Sequence, residues 1–209
     1  MKKYILIIIY ILLLIGCSNI KEIDNPDSLL VLVNKKNKFK NNYIPNNLVK
    51  LNLKYANDNR YLKKVAAKSF YKLSKDAKKN HLRIIVVSGY RSYEYQEKLF
   101  NYYVLEKGLD YALMCSAKPG HSEHQTGLAI DVEGSNYDYN LFDKSKEFEW
   151  MKNNSYKYGF ILRYPKGKEH ITGFKYEPWH YRYVGKKVAK YIYKHNISLE
   201  EYFKGWNYL

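Results

Sequence analysis

Apolar and polar positions alternate with helical periodicity in several parts of the chain, beginning with residues 60–79. There the apolar residues that would share one face of an amphipathic helix are Leu62, Val65, Ala66, Phe70, Leu73 and Ala77. A second helix is predicted from a cap at Ser92 to about Glu106, with Gly108 just beyond it. Residues 111–127 contain Pro119, two glycines and several polar side chains, so most of them are predicted to form a loop.

Short apolar and β-branched runs predict strands between these helices. The predicted strands are residues 84–87, 128–132, 160–164 and 179–183. Further helices are predicted around Trp150 as far as Gly159, from Gly185 to about His195, and after a capping box formed by Ser198 and Glu201. Helices and strands are mixed without regular βαβ spacing, which predicts a single α+β domain.

The N-terminus has the pattern of an export signal. Two lysines precede an apolar run at residues 4–15, which is too short to span a bilayer of ~30 Å comfortably at ~1.5 Å per helical residue. The ending Leu-Ile-Gly-Cys at residues 14–17 resembles the bacterial lipobox. That resemblance implies a signal peptide at residues 1–16, lipidation of Cys17, and export to the outer face of the bacterial membrane. An ordinary signal peptide or an uncleaved anchor, with an incidental cysteine, is the alternative.

Residues 17–42 are predicted to be a solvated tether, since Lys and Asn dominate residues 34–40. From Tyr43 onwards the sequence pattern is typical of a globular domain, which places the folded domain at residues 43–209. The second cysteine, Cys115, has no partner if Cys17 is acylated, and we predict that it is a buried structural thiol.

The chain is strongly basic, with 36 Lys and Arg against 20 Asp and Glu and a net charge of +16. Such a charge suits an anionic membrane, a wall polymer or nucleic acid. However, Lys, Asn and Tyr share AT-rich codons, so biased base composition alone would also produce 31 Lys, 19 Asn and 24 Tyr. Only five residues are Arg, the preferred side chain for reading phosphate, and the export signal also argues against nucleic acid as a partner. A hydrophobic content of 46% excludes a disordered chain.

Candidate metal ligands lie in two separate segments. A hydrolytic zinc site needs three protein ligands, an open position for water, and a nearby base. His124, Asp131 and His180 would supply the ligands and Glu177 the base. Pro178 argues against a continuous helix, so a local turn is required to direct Glu177 and His180 to one point. Taken alone, the same residues would also fit ordinary polar histidines and a carboxylate at a strand end.

These residues resemble a known family. The pattern Ser-x-His-x-x-Gly-x-Ala-x-Asp at residues 122–131, followed by Glu-x-x-His at 177–180, resembles the LAS group of zinc peptidases and most closely the VanY-type D-alanyl-D-alanine carboxypeptidases. The matching stretches outside these motifs are residues 43–48, 88–92, 95–96 and 159–165. The likeness extends from about residue 28 to the end.

The resemblance implies a small antiparallel sheet surrounded by helices, and one Zn²⁺ per chain. It assigns the metal to His124, Asp131 and His180. It makes Glu177 the catalytic base, which takes a proton from the attacking water and passes it to the leaving amine.

The resemblance also implies a substrate, the stem peptides of peptidoglycan. Arg91 would hold a carbonyl or carboxylate of the peptide, and Gln96 and Ser116 would contact the terminal D-alanine. The expected reaction is D-alanyl-D-alanine carboxypeptidase activity. An L,D-carboxypeptidase acting on tetrapeptides and a non-catalytic wall-binding lipoprotein are the alternatives. Arg163, by contrast, is predicted to form a structural ion pair.

Overall fold

A computed structural model describes residues 20–41, 43–136 and 139–206. The predicted signal peptide and Cys17 lie outside these ranges, so their assignments stay predictions. Among the described residues, no helix is both long enough and apolar enough to cross a membrane.

The centre of the fold is a four-stranded antiparallel sheet with the strand order β5-β6-β8-β7. Two shorter pairs, parallel β1-β2 and antiparallel β3-β4, lie outside it. The strands are β1 (Lys21–Glu22), β2 (Asn37–Lys38), β3 (Leu48–Lys50), β4 (Tyr61–Lys63), β5 (Ile85–Ser88), β6 (Ala129–Glu133), β7 (Phe160–Leu162) and β8 (His180–Tyr183). The four predicted strands are all present, and the α+β prediction is confirmed.

Helices surround this sheet. They are α1 (Lys64–Lys79), α2 (Tyr93–Lys107), α3 (Leu109–Cys115), α4 (Lys146–Asn154), α5 (Glu169–Thr172), α6 (Lys186–His195) and α7 (Leu199–Trp206), with 3₁₀ turns at Glu123–Thr126, Tyr139–Lys144 and Ser155–Tyr158. Of the predicted apolar face, Ala66, Phe70, Leu73 and Ala77 are buried in the main core, where Phe70 packs edge-on against Phe160 of β7. Val65, which was predicted to share that face, is exposed. The helix begins later than the pattern suggested, because Tyr61–Lys63 pairs with β3 instead.

The loop predicted for residues 111–127 is wrong in two places. Residues 109–115 form α3, and residues 123–126 form a 3₁₀ turn. Gly108, at φ +85°, ends α2 in a conformation that side chains disfavour and lets the chain turn directly into α3. Ala112 is buried, which ties the short helix to the body of the protein.

The solvated tether predicted for residues 17–42 is also wrong for its described part, residues 20–41. Val31, Val33 and Phe39 are buried in a small core of their own. Asn34 is buried as well, and its side chain donates a hydrogen bond to Glu200 of α7. The folded unit therefore begins before residue 43, because these apolar residues exchange water for protein contacts instead of extending into solvent.

Candidate active site

Strand pairing brings two of the predicted metal ligands together. Asp131 of β6 lies directly opposite His180, the first residue of β8. Residues that face each other across an antiparallel pair project to the same side of the sheet, so the carboxylate and the imidazole meet. His124 reaches the same point from the 3₁₀ turn, which Ser122 caps by accepting the His124 backbone N–H.

The three side chains form a compact, buried cluster. His124 Nε2 lies 3.3 Å from Asp131 Oδ2, and His180 Nδ1 lies 3.0 Å from Asp131 Oδ1. One donor atom from each of the three lies within 4.8 Å of the other two. His124 Nδ1 donates to the Gly89 carbonyl at 2.7 Å, which leaves its Nε2 lone pair directed at the cluster.

The donor set fits a zinc ion. Two imidazoles and a carboxylate are ligands that Zn²⁺ accepts, and three protein ligands leave a position open for water or substrate. Asp131 Oδ1 is buried and accepts no hydrogen bond from any residue that the structure describes, which is the condition expected of a ligand oxygen. Burial lowers the pKa of His124 to about 4, so this imidazole is neutral and able to bind a cation.

The predicted base lies beside the cluster. The backbone N–H of His180 donates to the carbonyl of Glu177 at 3.1 Å, which closes a turn across Pro178. This turn confirms the local geometry that the sequence required and places Glu177 Oε2 3.5 Å from His180 Nδ1. Burial raises the pKa of Glu177 to about 7. The carboxylate can therefore exchange a proton near neutral pH.

Arg91 contacts the cluster and also lines the cavity. It donates from an Nη atom to Asp131 Oδ2 at 2.8 Å and from Nε to the Ser88 hydroxyl at 3.0 Å. The guanidinium lines the cavity above the cluster. In the structure Arg91 thus orients a metal ligand, whereas its contact with substrate stays a prediction.

The two remaining predicted residues lie in the same cavity, which has a volume of about 480 Å³. Gln96 Nε2 donates to the Ser116 hydroxyl at 3.1 Å and to the Ala117 carbonyl at 2.8 Å. Gln96 Oε1 is buried, and none of the described residues forms a hydrogen bond with it. Cys115 also lines this cavity and is half-buried, so the prediction of a buried structural thiol is wrong.

The sequence reasoning missed Glu123. This carboxylate is fully buried, and its Oε1 accepts hydrogen bonds from Arg163 Nε and Arg182 Nη1, both at 2.8 Å. Its Oε2 lies 3.6 Å from Nε2 of His180, on the ring edge opposite the metal cluster. The ion pair predicted for Arg163 is confirmed, and it also includes Glu200 at 2.7 and 2.8 Å.

A signal for this network was present in the sequence. Two of the five arginines fall within predicted strands, at Arg163 and Arg182, and a buried guanidinium requires an acidic partner. The acid nearest to the predicted ligands was Glu123.

Comparison with known proteins agrees with this geometry. Residues 59–186 match the family model of VanY, D-alanyl-D-alanine carboxypeptidase. The chain is 39% identical over 178 residues to the bifunctional D-Ala-D-Ala dipeptidase and D-Ala-D-Ala carboxypeptidase VanXYC of Enterococcus gallinarum, with coverage of 83% of this chain and 92% of that protein.

Solved structures are similar over most of the fold. The LD-carboxypeptidase LdcB superposes with a TM-score of 0.84 at 43% identity, covering 88% of this chain and 90% of LdcB. A mutant of the D,D-pentapeptidase VanY from a VanB-type resistance cassette, in complex with Zn(II), superposes with a TM-score of 0.72 at 34% identity, covering 83% of this chain and 98% of that one. Taken with the His124-Asp131-His180 cluster, these matches establish that the chain belongs to the VanY family of carboxypeptidases and is a zinc metallopeptidase with one zinc site.

Proposed function

We propose that this protein is a zinc carboxypeptidase that removes the C-terminal D-alanine from peptidoglycan stem peptides. The observation that carries the proposal is the placement of Glu177 beside the His124-Asp131-His180 cluster, within one cavity. A closed structural zinc site needs no base, so the retained carboxylate favours catalysis over a purely structural metal.

Each residue has a role that follows from its position. When bound, Zn²⁺ supplies Lewis-acid chemistry that polarises the scissile carbonyl and acidifies a water. Glu177 accepts the proton of the attacking water and then delivers it to the nitrogen of the departing D-alanine. Arg91, which holds Asp131 in place, also presents positive charge towards the oxygen on which negative charge develops.

Gln96 and Ser116 would recognise the leaving D-alanine. Gln96 Oε1 is buried and has no hydrogen-bond partner in the described part of the chain, so it offers an acceptor for a substrate N–H. The hydrogen bond to Ser116 fixes the orientation of the amide, so that acceptor keeps its direction.

We further propose that the preferred bond is the L,D bond of a tetrapeptide, in which D-alanine follows a diamino acid. The higher identity and TM-score with LdcB support this choice over the D,D bond of a pentapeptide. A cavity of about 480 Å³ is also consistent with a long penultimate side chain, which a pentapeptide ending in two alanines lacks. The D,D activity expected from the sequence is the alternative.

The deciding experiment is mass spectrometry of tetrapeptide and pentapeptide muropeptides after incubation with the purified protein. We expect loss of D-alanine from the tetrapeptide, prevented by a chelator and by Glu177→Gln. Cleavage of the pentapeptide alone would assign the D,D bond instead. Binding of muropeptides by the zinc-loaded protein, with no cleavage of either, would favour a non-catalytic wall-binding role.

We propose in addition that the protein is exported and held at the outer face of the membrane by a lipid on Cys17. The lipobox-like pattern at residues 14–17 supports this localisation. Metabolic labelling with a fatty acid analogue should mark the wild type and not Cys17→Ser. Equal labelling of both would contradict lipidation at this residue.

A further inference from the structure

Three lysines lie in the lining of the cavity or next to lining residues. Lys175 lines the cavity, and its Nζ lies 5.6 Å from the centroid of the Tyr111 ring, which lines it too. Lys35 Nζ lies 5.1 Å from the centroid of the next lining ring, Phe174. Lys118 directly follows Ala117, another lining residue. We call Lys35, Lys118 and Lys175 the lysine rim.

The lysine rim carries positive charge that no described acidic side chain pairs with directly. Across residues 20–41, 43–136 and 139–206, no acidic side chain forms a salt bridge with any of its three members. Other lysines of the chain do have acidic partners: Lys63 lies 2.6 Å from Asp27 and Lys168 lies 2.9 Å from Glu201. Burial lowers the pKa of Lys35, and the nearby positive charge of Lys118 lowers this pKa further.

Negative and positive side chains therefore occupy different parts of the cavity. The acidic side chains that line it, Glu123, Asp131 and Glu177, all belong to the metal end. Arg91, the other lining cation, is already paired with Asp131 at 2.8 Å. The rim is thus where unpaired positive charge remains available to a ligand entering the cavity.

We propose that the lysine rim binds a carboxylate of the stem peptide on the N-terminal side of the scissile bond, and so sets a preference among stem peptides. This inference rests on the proposed function. Two groups of a stem peptide supply the required chemistry: the free α-carboxylate of the γ-linked glutamyl residue, and the second carboxylate of diaminopimelate. Amidation of either group would remove the charge that the rim recognises.

The test measures D-alanine release, as kcat/KM, from three synthetic tetrapeptides. One has glutamate and lysine at positions two and three, one has the glutamyl α-carboxylate amidated with lysine, and one has the same amide with diaminopimelate. We expect the wild type to prefer a peptide with a carboxylate over the doubly neutral amide-lysine peptide, chiefly through KM. Whichever acidic peptide shows the preference identifies the source of the carboxylate.

Because the three lysines are exposed, we expect each ion pair to raise the ratio of kcat/KM for acidic over amidated peptide by no more than about fivefold. Lys175→Ala should lower the acid-to-amide ratio by about that factor, and Lys35→Ala combined with Lys118→Ala by a similar amount. The preference should also weaken as salt rises from 0.05 to 0.5 M, since the Debye length shortens from more than ~10 Å towards ~3 Å. Lys72→Ala, an exposed lysine of α1 that does not line the cavity, is the matched control.

Two results would contradict the role of the lysine rim and leave the proposed carboxypeptidase activity standing. One is an acid-to-amide ratio of one in the wild type, with all three peptides cleaved. The other is an equal loss on acidic and neutral peptides in Lys175→Ala, which would place this lysine at the terminal carboxylate that all three share. Absence of D-alanine release from every peptide by the zinc-loaded wild type would instead contradict the proposed function. Binding of the peptides to Glu177→Gln then tests the rim without turnover.

Discussion

Replacing Glu123 by glutamine tests whether a buried charge network supports the metal site. The substitution keeps the size of the side chain and removes its charge. Arg163 would keep a bidentate partner in Glu200, at 2.7 and 2.8 Å. Among the residues that the structure describes, Glu123 is the one carboxylate that Arg182 contacts. Without it, Arg182 would keep hydrogen bonds to the backbone carbonyls of Tyr183, Leu29 and Val31.

The expected cost follows from that difference. Removing one partner of a fully buried ion pair lowers the free energy of unfolding by about 3–5 kcal/mol, because the other charge is left uncompensated. Glutamine retains an amide oxygen that can accept from one guanidinium, so we expect the lower end, about 3 kcal/mol. For a protein of this size, that corresponds to a decrease in Tm of roughly 6–12 °C. The measurement is urea and thermal unfolding of the metal-free protein.

The same substitution should weaken zinc binding. His180 presents Nδ1 to the cluster, so its Nε2–H faces Glu123 Oε2 at 3.6 Å. A carboxylate on the far side of a ligating imidazole fixes its tautomer and raises its basicity, and loss of such a partner typically costs 10–100-fold in metal affinity. Competition with a chromophoric chelator measures the zinc affinity independently of turnover.

A matched control is Glu147→Gln. Glu147 is also a buried acid, but it accepts hydrogen bonds from Ser135 and is not among the ligands or their neighbours. It should lose stability while its zinc affinity stays at the wild-type value. If Glu123→Gln leaves both the unfolding free energy and the zinc affinity unchanged, or if Glu147→Gln weakens zinc equally, then the assigned role of Glu123 is wrong.

Other predictions follow from the site and from the N-terminal segment. His124→Ala should reduce zinc from one per chain towards none, measured by elemental analysis of the folded variant; full occupancy would exclude it as a ligand. Gly89→Ala would place a Cβ 2.6 Å from the Tyr61 carbonyl oxygen, so it should displace the carbonyl that holds His124 and cost about 1–3 kcal/mol in urea unfolding. Removal of residues 20–41 should lower Tm and zinc affinity together, whereas a true tether would change neither.

Much of this architecture was accessible from local patterns. Most of the buried face of α1 follows from helical periodicity, and the four central strands follow from short apolar runs. Both signals depend only on residues close together in the sequence. The metal cluster was accessible for a different reason, since ligand chemistry restricts the choice to a few residue types. Asp131 at a strand position and His180 three residues after Glu177 satisfied that chemistry, and the sheet register then placed them opposite each other.

The supporting network was not accessible in the same way, because its partners are far apart in sequence and their pairing depends on the completed fold. Glu123 contacts Arg163 forty positions away and Arg182 fifty-nine positions away. Arg182 in turn binds carbonyls of the segment that composition alone assigned to solvent. The lysines of residues 34–40 face water, and they dominate the composition of the segment. In the residues before them, the carbonyls of Leu29 and Val31 and the side chains of Val31 and Val33 face inward. The N-terminal segment is therefore part of the support of His180, linked to it through one buried arginine and one buried glutamate.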